Sequence, residues 1–140
     1  MSTITRLVSR EEFFSAINTI EYRSQDLKEA IDFGCESILD CYMKAKHRFA
    51  KYYLVEENGI PIVTVMLQRD GYIIFFISKN VNSPVKLIKV LKRLANNVTK
   101  NVGAIITKTA KWYIEAQRLN RIIGFKDYQI YDYFGYYVKE

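Results

Sequence analysis

The stretch Tyr72–Thr107, YIIFFISKNVNSPVKLIKVLKRLANNVTKNVGAIIT, decides how the chain folds. Its first seven residues, Tyr72–Ser78, are nearly all apolar, as in a strand covered on both faces. Lys79–Pro84 reads as a loop, with Ser83 placed as N-cap and Pro84 at the first helical position. Leu87, Ile88, Leu91, Leu94, Ala95 and Val98 then recur at helical spacing and form a core-facing stripe. Lys86, Lys89, Lys92, Arg93 and Lys100 lie mostly outside it. Val102–Thr107 (VGAIIT) reads as a second strand. A helix between two such strands makes a β-α-β unit, expected right-handed with its strands parallel.

Upstream, Lys51–Glu57 and Ile60–Gln68 read as two strands joined at Asn58-Gly59, a strong hairpin signal because both residues tolerate positive φ. Arg69-Asp70-Gly71 turns the chain into Tyr72–Ser78, so three antiparallel strands follow one another, the third central. Further back, Thr3–Val8 reads as a short strand. Ser9-Arg10-Glu11-Glu12 has capping-box form, and Phe13, Ile17 and Ile20 continue it as a helix. Leu27, Ile31, Cys35, Ile38, Tyr42, Ala45 and Phe49 predict one long helix opened by Ser24 or Asp26, weakened at Gly34. Downstream, Lys111–Ile123 reads as a helix stopped by Gly124, with Trp112, Ala116, Leu119 and Ile123 on its apolar face. Tyr128–Val138 reads as a Tyr-rich terminal strand, or a hairpin about Gly135. The order β-α-α-β-β-β-α-β-α-β predicts an α/β fold over 1–140 as a single domain. Its central sheet is mixed and mostly antiparallel, with one parallel unit and helices on both faces.

The composition agrees. Hydrophobic residues make up 49% of the 140 and charged residues 26%, enough to bury a core and too apolar for a disordered tail. No apolar run reaches the roughly 20 residues of a membrane span, and no secretory h-region follows Met1. Cys35 and Cys41, on one expected helix, cannot staple a domain, so a reducing compartment fits: the cytoplasm, or a phage particle within a host cell. The net charge of +6 is unevenly spread. Lys79–Lys126 holds eleven basic residues and one acidic, a net +10, and the rest of the chain is net −4. Such a half points to an anionic partner or to a solvated helix face.

Ala116-Gln117-Arg118-Leu119-Asn120-Arg121-Ile122-Ile123-Gly124-Phe125 looks like the A-x-x-L-Y-x-x-x-G-F end of the last helix in the GNAT (acyl-CoA N-acyltransferase) superfamily, and the order of elements from Lys51 onward resembles that family too. The resemblance implies that acyl-CoA lies against the central strand, at Ile77, with its pyrophosphate on backbone amides of the loop that opens the next helix. The loop form [R/Q]-x-x-G-x-[G/A] maps onto Lys79-x-x-Asn82-x-Pro84. Lys79 keeps the cation. Asn82 can enter the left-handed region as the lost glycine did. Pro84 has no N–H and adds a ring where phosphate approaches. The implied cofactor contacts are therefore Ile77, Lys79, Asn82, Ser83, Val85, Lys86 and Asn120. Asn120 stands where the family often places a Tyr general acid, and Asn has no useful proton to give. Tyr113, Tyr128 and Tyr131 are substitutes that spacing does not separate. Glu56 and Glu57 read as a solvated strand end, with a base facing the cleft as the alternative. No catalytic residue is assigned.

A narrower likeness exists to short, basic, GNAT-like internal virion proteins of tailed phages, which share the lysine-rich helix and an R-x-x-x-x-x-G helix end, here Arg118–Gly124. His47, the only histidine, reads as a helix-surface residue, and no metal set is present in the sequence. The Tyr residues from Tyr128 to Tyr137 read as a half-buried edge strand. Together these features predict a binding or structural protein with a degenerate acyl-CoA site and no cofactor, in contact with an anionic partner or with other virion proteins. The alternative is an active acetyl-CoA-dependent N-acetyltransferase. The third reading is a nucleic-acid binder using the Lys79–Lys126 surface.

Overall fold

The computed structural model describes residues 2–140. Four strands, β1 (Thr3–Val8), β2 (Lys51–Glu57), β3 (Ile60–Leu67) and β4 (Ile73–Ile77), form an antiparallel sheet in that order. A second sheet holds β5 (Ile105–Ala110), β7 (Phe134–Lys139) and β6 (Lys126–Ile130), with β7 in the middle. The helices are α1 (Arg10–Ile17), α2 (Ser24–Asp32), α3 (Ile38–Lys44), α4 (Pro84–Val102) and α5 (Ile114–Ile123). The expected mixed α/β architecture is present, with the β4-α4-β5 unit at its centre.

Strand alternation builds two cores. Val55, Val63 and Val65 point to one face and pack with Leu87, Leu91 and Leu94 of α4, and with Ile105 and Phe125. Leu54, Met66 and Phe76 point to the other and pack with Phe13, Ile17, Ile38 and Tyr42 from α1 and α3. Tyr42 is fully buried, and its hydroxyl donates to the Thr64 carbonyl at 2.9 Å.

Several boundaries differ from the sequence reading. The long helix expected from Ser24 to Phe49 is two helices. Gly34 adopts φ +87° and ends α2, and Ser37 caps α3 by accepting the Asp40 N–H at 3.0 Å. Cys35 therefore lies between helices and Cys41 within α3, both as free thiols. His47 lies beyond α3, half-buried, with Nδ1 2.7 Å from the Tyr52 hydroxyl. Val102 belongs to α4, and Gly103 at φ +85° delays β5 to Ile105. Since β5 runs to Ala110, α5 starts only at Ile114. The C-terminus is a hairpin, but its turn lies at 131–133 and Gly135 sits inside β7. The hydroxyl half of the Ser9 capping box forms at 3.1 Å, whereas the Glu12 carboxylate goes to Arg6. Ser83 precedes α4 without a side-chain cap bond.

Candidate functional site between the splayed strands

The two sheets meet at one point. Tyr72 and Ile106 form a single parallel bridge, and the Ile106 N–H donates to the Gly71 carbonyl at 3.0 Å. Gly71 has φ +89°, and a Cβ there would lie 2.8 Å from the Ala104 carbonyl oxygen, so only glycine permits this approach. Beyond the bridge the strands diverge and leave a V-shaped slot. The Ser78 N–H reaches back to the Ile62 carbonyl at 2.7 Å, so Ile77, one residue earlier, turns its backbone toward the slot.

That open edge is occupied from within the chain. Residues 21–23 run antiparallel to it: the Arg23 N–H donates to the Ile77 carbonyl at 3.3 Å, and the Lys79 N–H to the Glu21 carbonyl at 2.9 Å. The Ile77 N–H donates to Asp26 Oδ2 at 2.8 Å. Asp26 is 2% exposed, and its Oδ1 accepts from the Tyr113 hydroxyl at 2.5 Å and from Arg23 Nη2 at 2.8 Å. The Arg23 guanidinium lies 5.3 Å from the centre of the Tyr113 ring. Burial, reinforced by the Asp26 charge, pushes the Tyr113 phenol well above its ordinary value, so this tyrosine holds its proton. One turn along α2, Glu29 Oε2 accepts the Ala110 N–H at 2.8 Å, and burial pushes its carboxyl up to about 7.

These acids face opposite to the sequence reading. Leu27 and Ile31 are exposed, at 43% and 54%, while Asp26, Glu29 and Ala30 are buried. The reason is the splay: strand ends without a neighbour strand present bare N–H groups, and a carboxylate satisfies them better than an aliphatic side chain. The available signal was the i, i+3 spacing of Asp26 and Glu29 flanking the expected apolar face.

The cofactor residues inferred from the resemblance divide into separate groups. Ile77 and Lys79 line an outer groove of about 430 Å³ between β4, α4 and α5, with Arg23, Leu87, Arg118 and Leu119. Lys79 pairs with Glu21 at 3.0 Å. Asn82 and Ser83 donate their N–H groups to the two oxygens of Glu57, both at 3.0 Å. Val85 and Lys86 are exposed on the first turn of α4. Asn120 is fully buried and lines an inner chamber of about 210 Å³ with Asp26, Glu29 and Tyr113. Its Nδ2 donates to Thr109 Oγ1 at 2.8 Å, and its Oδ1 has no partner among the described residues. Arg23 and Leu119 border both spaces, so the Arg23–Asp26–Tyr113 cluster stands between them.

Glu56 and Glu57 do not form a solvated strand end. They are 8% and 3% exposed; Glu56 accepts from Arg6 at 2.7 Å, and Glu57 holds the loop. Among the described residues no three His, Cys, Asp or Glu side chains converge as metal ligands, and no helix is long and apolar enough to cross a membrane.

No protein-family model matches the chain, and no curated protein does. Solved structures match it over nearly its whole length. The aminoglycoside acetyltransferase AAC(6')-Ib in complex with coenzyme A is 17% identical at a TM-score of 0.69, covering 99% of this chain and 94% of that one. The ribosomal-protein-S18-alanine N-acetyltransferase from Escherichia coli is 11% identical at a TM-score of 0.69, covering 99% and 93%. The spermidine N-acetyltransferase from Vibrio cholerae, in complex with CoA and spermine, is 14% identical at a TM-score of 0.67, covering 97% and 94%. With the splayed β4-α4-β5 unit and the α5 end at Gly124-Phe125, these matches establish that the chain has the GNAT fold.

Proposed function

We propose that this GNAT-fold chain is a binding protein that does not transfer acyl groups. The observation that carries the reading is the Asp26 carboxylate on the Ile77 N–H, at the strand edge where the family resemblance puts acyl-CoA. Glu57 extends it by taking the Asn82 and Ser83 N–H groups, where the resemblance puts pyrophosphate. Bonds to charged acceptors each contribute about 1.5–3 kcal/mol net. Displacing three of them opposes seating by roughly 4–9 kcal/mol, comparable with the roughly 8 kcal/mol of a micromolar affinity. Asn120 has no proton for a leaving thiolate, and Tyr113 keeps its own. The outer groove still presents Arg118, which suits an anionic partner. The spacing Arg118–Gly124 and the lysine-rich α4 support a setting in a phage particle, which proteomic detection in purified virions checks and consistent absence from them refutes.

Calorimetric titration with acetyl-CoA tests the main reading. No saturable heat is expected at ligand concentrations up to about 1 mM, the weak end of specific affinities. Micromolar binding, with acetylation of any amine above the uncatalysed rate, overturns it. One observation favours the second reading, an acetyl-CoA-dependent N-acetyltransferase: the Glu29 carboxyl, raised to about 7 in the inner chamber, is poised as a general base. That reading requires Glu29→Gln to abolish turnover, and measurable turnover in the variant removes it.

A further inference from the structure

The slot leaves the most basic surface of the molecule unused. Helix α4 carries Lys89, Lys92, Arg93 and Lys100 on its exposed side and has no acidic residue in its 19. None of these four has an ion-pair partner among the described residues, whereas Arg6, Arg23, Lys44, Lys79 and Arg121 are all paired. At 1.5 Å rise per residue they span roughly 16 Å, about two to three phosphate steps of an extended strand.

Beside this row lies a groove of about 470 Å³ between α4 and the edge strand β1. Arg93, Asn97 and Asn101, spaced four apart, line its helical wall, and Thr3 and Thr5 line its strand wall. The Thr3 and Thr5 hydroxyls are shielded from solvent and have no hydrogen-bond partner among the described residues. Buried hydroxyls without a protein partner are uncommon, and an ordered water is their usual partner. The exposed Arg93 guanidinium and the Asn97 and Asn101 amides can together read the donors and acceptors on the edge of an unpaired base.

We infer that the α4–β1 surface binds single-stranded nucleic acid, with phosphates along Lys89, Lys92, Arg93 and Lys100 and a base in the groove. A duplex keeps its Watson–Crick edges paired, whereas a single strand can offer them to Asn97 and Asn101 in the groove. The surface shares no lining residue with either space of the slot, so the inference stands apart from the acyl-CoA question.

Fluorescence anisotropy with a labelled single-stranded DNA of about 15 nucleotides tests it, a length covering a typical single-strand site. Binding is expected at low salt, with log affinity falling against log salt at a slope of about −2 to −3 for three or four phosphate contacts. K89E combined with K92E, both exposed, should weaken binding at least about tenfold, as two lost phosphate contacts do. Asn97→Ala combined with Asn101→Ala should weaken it severalfold while leaving the salt slope unchanged. Saturating coenzyme A should leave it untouched. The inference is overturned by no binding at low salt, by equal affinity for duplex or polyglutamate, or by asparagine variants that bind as tightly as the parent while their melting temperatures show them folded.

Discussion

Glu57 and Glu29 both hold backbone N–H groups that no strand or helix supplies with a partner. Glu57 sits at the N-terminal end of α4, where the free N–H groups and the helix dipole favour negative charge. Glu57→Ala leaves the Asn82 and Ser83 donors without their acceptor and should lower stability by about 1–3 kcal/mol in urea unfolding. An unchanged midpoint shows that the loop does not depend on it. Glu29 makes the opposite contribution at neutral pH. Its carboxyl is raised from 4.5 to about 7, so between those values the unfolded chain has lost a proton that the folded chain keeps. Stability therefore falls as pH rises through that window, and the loss is complete above about 7. Glu29→Gln, which keeps an oxygen for the Ala110 N–H, should gain on the parent through the same window, reaching up to about 3 kcal/mol at pH 8. A difference that does not vary with pH contradicts the buried, proton-holding carboxyl. In sequence, Glu29, Glu57 and Asp26 look like ordinary surface charges. Their partners are backbone amides 25 to 81 residues away, and the i, i+3 spacing of Asp26 and Glu29 marks a shared helix face without naming those partners.

At the scale of elements, the legible parts were those fixed by neighbouring residues. Asn58-Gly59 turns with φ +54° and +81°, as the hairpin signal requires. Leu87, Leu91, Leu94, Ala95 and Val98 are all buried on α4, as their spacing predicts. Glycines were harder to read, since composition does not say which one ends an element. Gly34 and Gly71 have almost the same φ, +87° and +89°, but different surroundings. A Cβ at Gly34 meets nothing within 4 Å, so Gly34→Ala carries only backbone strain, about 1–2 kcal/mol. Gly71→Ala adds a collision with the Ala104 carbonyl at the apex of the slot and should be more destabilising, by at least about another 1 kcal/mol. Thermal unfolding of the two variants measures the difference. Equal losses rule out a tight apex. The apex itself was invisible in the sequence. Tyr72–Ser78 and Val102–Thr107 read as parallel strands of one unit, and strand propensity carries no information on where a parallel pair stops bonding.

Over the whole molecule, the helix end Ala116–Phe125 together with the order of elements from Lys51 onward anticipated a fold shared with solved acetyltransferases at only 11–17% identity. What the order could not show is that residues 21–29, which include the expected start of a long helix, lie along the strand edge at the centre of the slot. On the proposed reading, this N-terminal segment closes the strand edge to acyl-CoA. The amides of Ile77, Asn82 and Ser83 report on this directly. In a nitrogen-15-labelled sample, titration with coenzyme A should leave all three resonances in place and the Ile77 amide protected from exchange. Saturable shifts at Ile77 and at the two loop amides, with the coenzyme seated in the slot, contradict the account.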